Sequence, residues 1–223
     1  MRRTLDCIAT ALAILSVCIL TITFSIGLPI YFRPFYYMQI EPLGIEEATG
    51  LDRETIIEGY DEVLDYLTRP GGEFGAGEFR FSEEGASHFE DCKGLFTLNA
   101  SAYVAAAAVL VILLILFKKG KLTLLHPFGI SPFSLSGILT LLSFATIGGV
   151  VALDFDTAFV IFHSIFFPGK DNWIFDWRTD EIILALPQDF FMNCAILIGS
   201  SVILISIALI IVGAVTKRRN NRV

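Results

Sequence analysis

Four stretches of the chain carry no Asp, Glu, Lys or Arg: residues 7–32 (26 positions), 94–117 (24), 122–153 (32) and 190–216 (27). An α-helix needs about 20 apolar residues to cross the hydrocarbon core of a bilayer, and each stretch exceeds that. The pattern predicts membrane-spanning helices over about residues 8–30, 98–117, 131–153 and 191–216, with intervening loops over about 31–97 and 154–190. Inside the first of those loops the periodicity becomes amphipathic. Ile56, Tyr60, Val63, Leu64 and Leu67 recur at helical spacing while Glu58, Asp61, Glu62 and Asp65 fill the other positions. Asp52 is the expected N-cap of this helix and Arg69-Pro70-Gly71-Gly72 its stop. Gly75 and Gly77 then predict a flexible linker.

The segment from Phe81 to Lys93 runs straight into the second uncharged stretch. As one continuous helix it places Glu84, His88 and Asp91 on a single face, a titratable cluster at the edge of the membrane. In the second loop the segment from Phe159 to Phe167 is strongly apolar, too short to span, and closed by Pro168-Gly169. Such a segment lies in the headgroup region or dips into it. Trp173, Phe175 and Trp177, with Asp176 and Arg178, follow as an aromatic belt, and residues 180–187 read as a short interfacial helix.

Composition agrees with the pattern: 54% of the 223 residues are hydrophobic and only 17% charged, too apolar for a soluble domain of this length. The charges also set an orientation. Arg2, Arg3, Lys118, Lys119, Lys121, Lys217, Arg218, Arg219 and Arg222 flank the spans on one side, and short loops rich in Lys and Arg stay in the cytoplasm. The two remaining loops hold 15 and seven acidic residues and are expected outside. The expected fold is an all-α membrane protein, a single integral domain over residues 1–223. It has four transmembrane helices, a small extracytoplasmic helical cap, an interfacial or re-entrant segment before the last helix, and both termini in the cytoplasm. Arg2-Arg3 before an apolar run also begins a cleaved signal sequence, but the uncharged run is long for one and the first span is expected to be retained. Net charge is −7 and the bases are not gathered on a soluble face, so nucleic acid is not an expected partner.

The four cysteines form no CxxC or zinc pattern, and no metal site is expected. Cys92 and Cys194 fall near the outer surface, where a disulfide between them is one alternative and free thiols the other. Two of the three histidines, His88 and His163, flank the outer lipid surface, whereas His126 precedes Pro127 in an inner link and is expected to be solvated or capping. A lone interfacial imidazole is ordinarily an anchor. His163, however, sits among Phe159, Val160, Ile161, Phe162, Ile165 and Phe166, where an unpartnered ring is costly. With an unperturbed pKa of ~6.5, two imidazoles on one face of the lipid surface point to acid/base chemistry. Other templates fit poorly: there is no Gly-x-Ser-x-Gly elbow and no His-Glu-x-x-His pair. The spans also lack the ionisable residues of an ion path.

The run from His88 to Phe96 (His-x-x-Asp-x-Lys-x-Leu-Phe), the Phe-His-x-x-Phe-Phe run from Phe162 to Phe167, Trp173, and the segment from Asp180 to Phe191 together resemble the bacterial lipoprotein intramolecular transacylase Lit family. Cys92 stands where that pattern leads one to expect a small aliphatic residue. The resemblance implies a cofactor-free acyltransferase of the bacterial plasma membrane, acting at the outer leaflet on diacylated membrane lipoproteins, with membrane lipid as its surroundings. Its reaction moves the sn-2 acyl chain of a diacylglyceryl-cysteine to the α-amine of the same cysteine, giving the lyso form, and its catalytic histidines match His88 and His163. Supporting roles are expected for Asp91, which can fix the tautomer of His88, and for Lys93, which can add positive charge near an oxyanion. Tyr60, Arg33, Trp173, Asp176 and Asp180 are weaker candidates for shaping the pocket. The rival readings are a membrane lipid or lipoprotein hydrolase, with or without a metal, and a non-catalytic sensor or assembly partner.

Overall fold

A computed structural model describes residues 2–220, the side chains at 147, 150–153, 219 and 220 apart. Among the described residues there is no strand. The helices are α1 (Arg2–Tyr31), α2 (Pro34–Tyr37), α3 (Ile45–Thr49), α4 (Arg53–Thr68), α5 (Glu83–Lys118), α6 (Pro132–Leu153), α7 (Phe155–Phe166), α8 (Ile182–Ala185) and α9 (Gln188–Asn220). Three of them, α1, α5 and α9, are long and apolar enough to cross a membrane. Helix α6 runs through the remaining uncharged stretch for 22 residues. In α5 the uncharged run begins only at Gly94, so its first turns precede the apolar segment.

The described residues divide into two compact units. One comprises Gly27–Leu98 and Val150–Leu197. Its α4 forms as the periodicity predicts: the Asp52 carboxylate accepts from the Thr55 N–H at 2.9 Å, satisfying one free amide of the first turn, and the helix ends at Thr68 ahead of Pro70. Ile56, Tyr60, Val63, Leu64 and Leu67 are all buried, against Tyr36, Ile40, Ile45, Ile182, Ala185 and Phe190. Within that core the Tyr36 and Tyr60 rings stack with centroids 3.7 Å apart, and the Tyr36 hydroxyl donates to the Ala185 carbonyl at 2.8 Å. Arg33 pairs with Asp61 at 3.2 Å and with Asp65, and Tyr37 donates to Asp61 at 2.7 Å. This network ties the segment after α1 to the polar edge of α4.

The glycine-rich segment after α4 is not the flexible linker its composition predicts. Ala76 and Phe79 are buried, and the Gly77 N–H donates to the Glu62 carboxylate at 2.6 Å. Gly77 has φ +62°, and a Cβ there would stand 2.8 Å from the Gly59 Cα. The glycines serve a close backbone approach that straps the segment onto α4, a use composition alone does not separate from looseness.

The other unit comprises the described residues of Met1–Ile26, Asn99–Gly149 and Ile198–Val223. Small polar side chains join its helices. The Ser136 hydroxyl reaches the Ile14 carbonyl at 3.3 Å, Ser134 donates to the Ile210 carbonyl at 3.0 Å, and the Asn99 amide donates to the Thr23 carbonyl at 3.2 Å. Such bonds suit an apolar surrounding, where burial of hydrocarbon no longer drives helices together. Asp6, the acid within α1, is buried and accepts from the Thr123 N–H at 2.8 Å. His126 is exposed and its side chain makes no capping bond, as expected of a solvated residue. All four cysteines are free, so Cys92 and Cys194 are not bridged.

Candidate active site

The first turn of α5 is built by residues far away in sequence. The Ser82 hydroxyl accepts from the Gly85 N–H at 3.0 Å, and the Asp180 carboxylate accepts from the Ser82 N–H at 2.8 Å and the Ser82 hydroxyl at 2.9 Å. Its other oxygen accepts from Thr179 at 2.7 Å, which offsets the burial of an acid only 4% exposed. A negative charge is favourable at a helix N-terminus. The approach is so close that a Cβ at Gly85 would lie 2.1 Å from the Asp180 oxygen.

Two residues past that turn stands His88, 6% exposed. His163, also 6% exposed, comes from α7, whose N-cap Asp154 accepts from the Thr157 N–H at 3.0 Å. Helix α7 turns His163 inward and leaves Val160, Ile161, Phe162, Ile165 and Phe166 exposed. The two imidazole centroids are 5.7 Å apart and their planes differ by 32°. Aromatic rings enclose them. Trp173 stacks on His163 at 4.3 Å, Phe159 lies 4.3 Å from the same ring, and Phe167 and Phe175 stand at 5.0 and 5.6 Å from His88.

His163 Nδ1 lies 2.7 Å from the Phe159 carbonyl oxygen, which can only accept, so Nδ1 carries the proton and Nε2 keeps its lone pair. Burial lowers the pKa of His163, and this backbone bond raises it part of the way back. Burial, reinforced by the neighbouring His163, lowers His88 to about 4. Both rings are therefore neutral at pH 7, and a second positive charge in the pair is disfavoured.

These depressed values have a sign for stability. Between pH ~6.5 and about 4 the unfolded chain binds a proton at residue 88 that the folded chain does not, so stability is complete above this window and is lost as pH falls through it. The shift corresponds to about 3 kcal/mol. Thermal unfolding of the detergent-solubilised protein is expected to show this loss, and His88→Gln to lessen it; an equal loss in the variant would refute the assignment.

The other residues singled out by sequence fall in different places. Asp91 lies beside the pair but bonds neither ring: it pairs with Lys170 at 2.5 Å and accepts from the Asn172 amide at 3.1 Å. Burial pushes its carboxyl upward, and the bonds from Lys170 and Asn172 outweigh that, holding it below the usual range. Cys92 Sγ is 3.4 Å from His88 Nε2, and burial pushes the thiol up to about 12. Trp173 joins the site through its stack on His163. Lys93 donates to the Gly71 carbonyl at 2.6 Å and covers the Tyr66 ring, while Tyr60 and Arg33 belong to the core and to the α4 ion pairs. Asp176 accepts from the Arg178 N–H at 3.0 Å within its own turn. Glu84 is exposed, so the buried stripe of α5 is Gly85, His88 and Phe89 rather than an acidic face. Sequence reasoning missed Asn172, an amide in a polar turn with no periodic or motif signal. Among the described residues no three His, Cys, Asp or Glu side chains converge as metal ligands.

No curated protein matches the chain. Solved structures do. The membrane integral lipoprotein intramolecular transacylase Lit from Bacillus cereus is 26% identical, superposes with a TM-score of 0.86, and is matched over 98% of both chains. A variant of that protein with one histidine replaced by arginine is 25% identical with a TM-score of 0.80, over 98% of this chain and 95% of that one. A further variant, with histidine replaced by alanine, has a TM-score of 0.82 at 24% identity and shares the fold, over 99% of this chain and 97% of that one. The family model described as lipoprotein intramolecular transacylase Lit matches residues 11–191, a run that contains both buried imidazoles and every helix they stand on, and the chain belongs to that family.

Proposed function

We propose that the protein is a lipoprotein intramolecular transacylase that moves the sn-2 acyl chain of a diacylglyceryl-cysteine to the α-amine of the same residue. The observation that carries this reading is the meeting of His88 and His163, 75 positions apart in sequence, as neutral rings 5.7 Å apart in an aromatic enclosure. Membership of the Lit family supplies the substrate class. That two of the similar solved structures carry a substitution of one histidine fits a reaction run by imidazole.

The chemistry asks little beyond positioning and protons. The amine nitrogen attacks the ester carbonyl, a C–N bond forms, and the glyceryl C–O bond breaks. Holding amine and ester together in one enclosure lowers much of the barrier, because effective concentrations of well-oriented groups reach ~10⁵ M or more. The α-amine has a pKa of ~8, and the lone pair on His163 Nε2 takes its proton as attack proceeds. The resulting imidazolium is unstable beside a second buried ring, which favours passing the proton on to the departing glyceryl oxygen. An amide replaces an ester, so no energy source is required.

In this reading α1, α5, α6 and α9 span the plasma membrane four times. The basic residues at their ends face the cytoplasm, and the imidazole pair stands at the outer leaflet. Mass spectrometry of a coexpressed diacyl lipoprotein tests the reaction. The expected product has unchanged mass with one acyl chain relocated from the glyceryl group to the N-terminus. Loss of one acyl mass would mean hydrolysis, and an unaltered lipoprotein would leave a non-catalytic membrane protein.

A further inference from the structure

Two buried atoms beside the imidazole pair lack a partner within hydrogen-bond geometry: His88 Nδ1 and Asn172 Oδ1. A buried polar atom left in that state costs ~1–3 kcal/mol. The two atoms are complementary, and the Asn172 amide sits against the same stretch of α5, reaching Ser87, the neighbour of His88, at 3.5 Å and Asp91 at 3.1 Å. The orientation of the amide is determined from its other end. Asn172 Nδ2 donates to Asp91 at 3.1 Å, and Asp91 is itself held by the Lys170 ammonium at 2.5 Å. An ionised carboxylate only accepts, so turning the amide over would set oxygen against oxygen. Asn172 Oδ1 is left as the buried end without a donor, and an amide oxygen accepts only.

The opposite nitrogen of the ring is compatible with this. His88 Nε2 is 3.4 Å from Cys92 Sγ, and a neutral thiol can donate to a bare ring nitrogen.

We propose that Asn172, oriented by Asp91 and Lys170, is a positioning residue that fixes His88 as the Nδ1–H tautomer and keeps the lone pair on Nε2. His163 has the same tautomer through the Phe159 carbonyl, so both rings present Nε2 as a proton acceptor. Asp91 acts on His88 through the amide and not by direct contact. The part played by His88 in turnover rests on the reading of the protein as a transacylase, whereas the tautomer does not.

Long-range ¹H–¹⁵N correlation of the imidazoles in the full-length protein, with His88→Gln to assign the signals, reads the tautomer directly. The wild-type protein is expected to carry the His88 proton on Nδ1. In Asn172→Leu, of similar volume and without an acceptor, the proton is expected to move to Nε2, with kcat lowered at least about 10-fold and KM nearly unchanged, as for residues that orient other functional histidines. In Asp91→Asn the amide loses its fixed direction, and a mixture of tautomers with an intermediate kcat is expected. An Nε2–H signal in the wild type overturns the proposal, as does an Asn172→Leu protein with wild-type tautomer and kcat. Should Asn172→Leu not fold, the wild-type and Asp91→Asn spectra still decide. A wild-type protein that transfers no acyl chain refutes the transacylase reading and leaves the tautomer assignment standing.

Discussion

Replacing His163 by alanine is expected to lower conversion of a diacyl lipoprotein to its lyso form by ~10²–10⁴-fold, the range spanned by a lost general acid–base group. The ring is buried, its Nδ1 is committed to the Phe159 carbonyl, and its Nε2 is the nitrogen free to accept a proton. The Trp173 stack and the Asp154 cap of α7 do not depend on proton exchange, so His163→Gln, which keeps more of the volume, should lose transfer as severely while unfolding close to the wild-type temperature. Coexpression with a diacyl lipoprotein and mass analysis of its N-terminal peptide measures this. Wild-type conversion by both variants would show that the ring is an interfacial anchor and nothing more.

The second large effect is on stability, with no prediction for chemistry. Tyr60→Ala removes a ring that is 3% exposed, stacked on Tyr36 at 3.7 Å and edge-on to Phe190 at 6.3 Å. Truncating a buried aromatic of this size costs about 3–5 kcal/mol, because the site collapses only partly onto the cavity. Tyr60→Phe keeps the volume and should cost below about 1.5 kcal/mol. Denaturant titration in a fixed detergent compares the three proteins. If Tyr60→Phe lost acyl transfer at wild-type stability, the hydroxyl would have a chemical role that its position in the core gives no reason to expect.

The contrast between Tyr60 and Asn172 shows where sequence is informative. Tyr60 was legible as one of five apolar positions on α4, and the helix, its Asp52 cap and its proline stop all follow from local rules. The continuity of α5 through residues 83–118 and the position of His163 in a short apolar helix were legible for the same reason, since periodicity and charge are local properties. Convergence is not local. Nothing in the spacing of Asp180 and Ser82, 98 positions apart, announces that the acid fastens the turn before His88. Asp91 was legible as a neighbour of His88 on its helix, but an intervening amide from another segment changes how it acts. The strap at Gly75 and Gly77 was misread because glycine permits both looseness and close approach, and only the presence of Gly59 opposite decides between them.

The fastening of residues 168–181 also limits how they can move. This segment is tied to the start of α5 and the residues before it through Lys170 and Asn172 on Asp91, through Asp180 on Ser82, and through Arg80 on the adjoining Glu181. Swinging it aside like a hatch would break these ties together, strand the Asp180 charge and fray the helix that holds His88. Exchange by that route would be slow. Among the described residues the exposed flank of α7 that bears Phe162, Ile165 and Phe166 has no such fastenings, and a greasy molecule sliding in along it would leave the enclosure's masonry undisturbed.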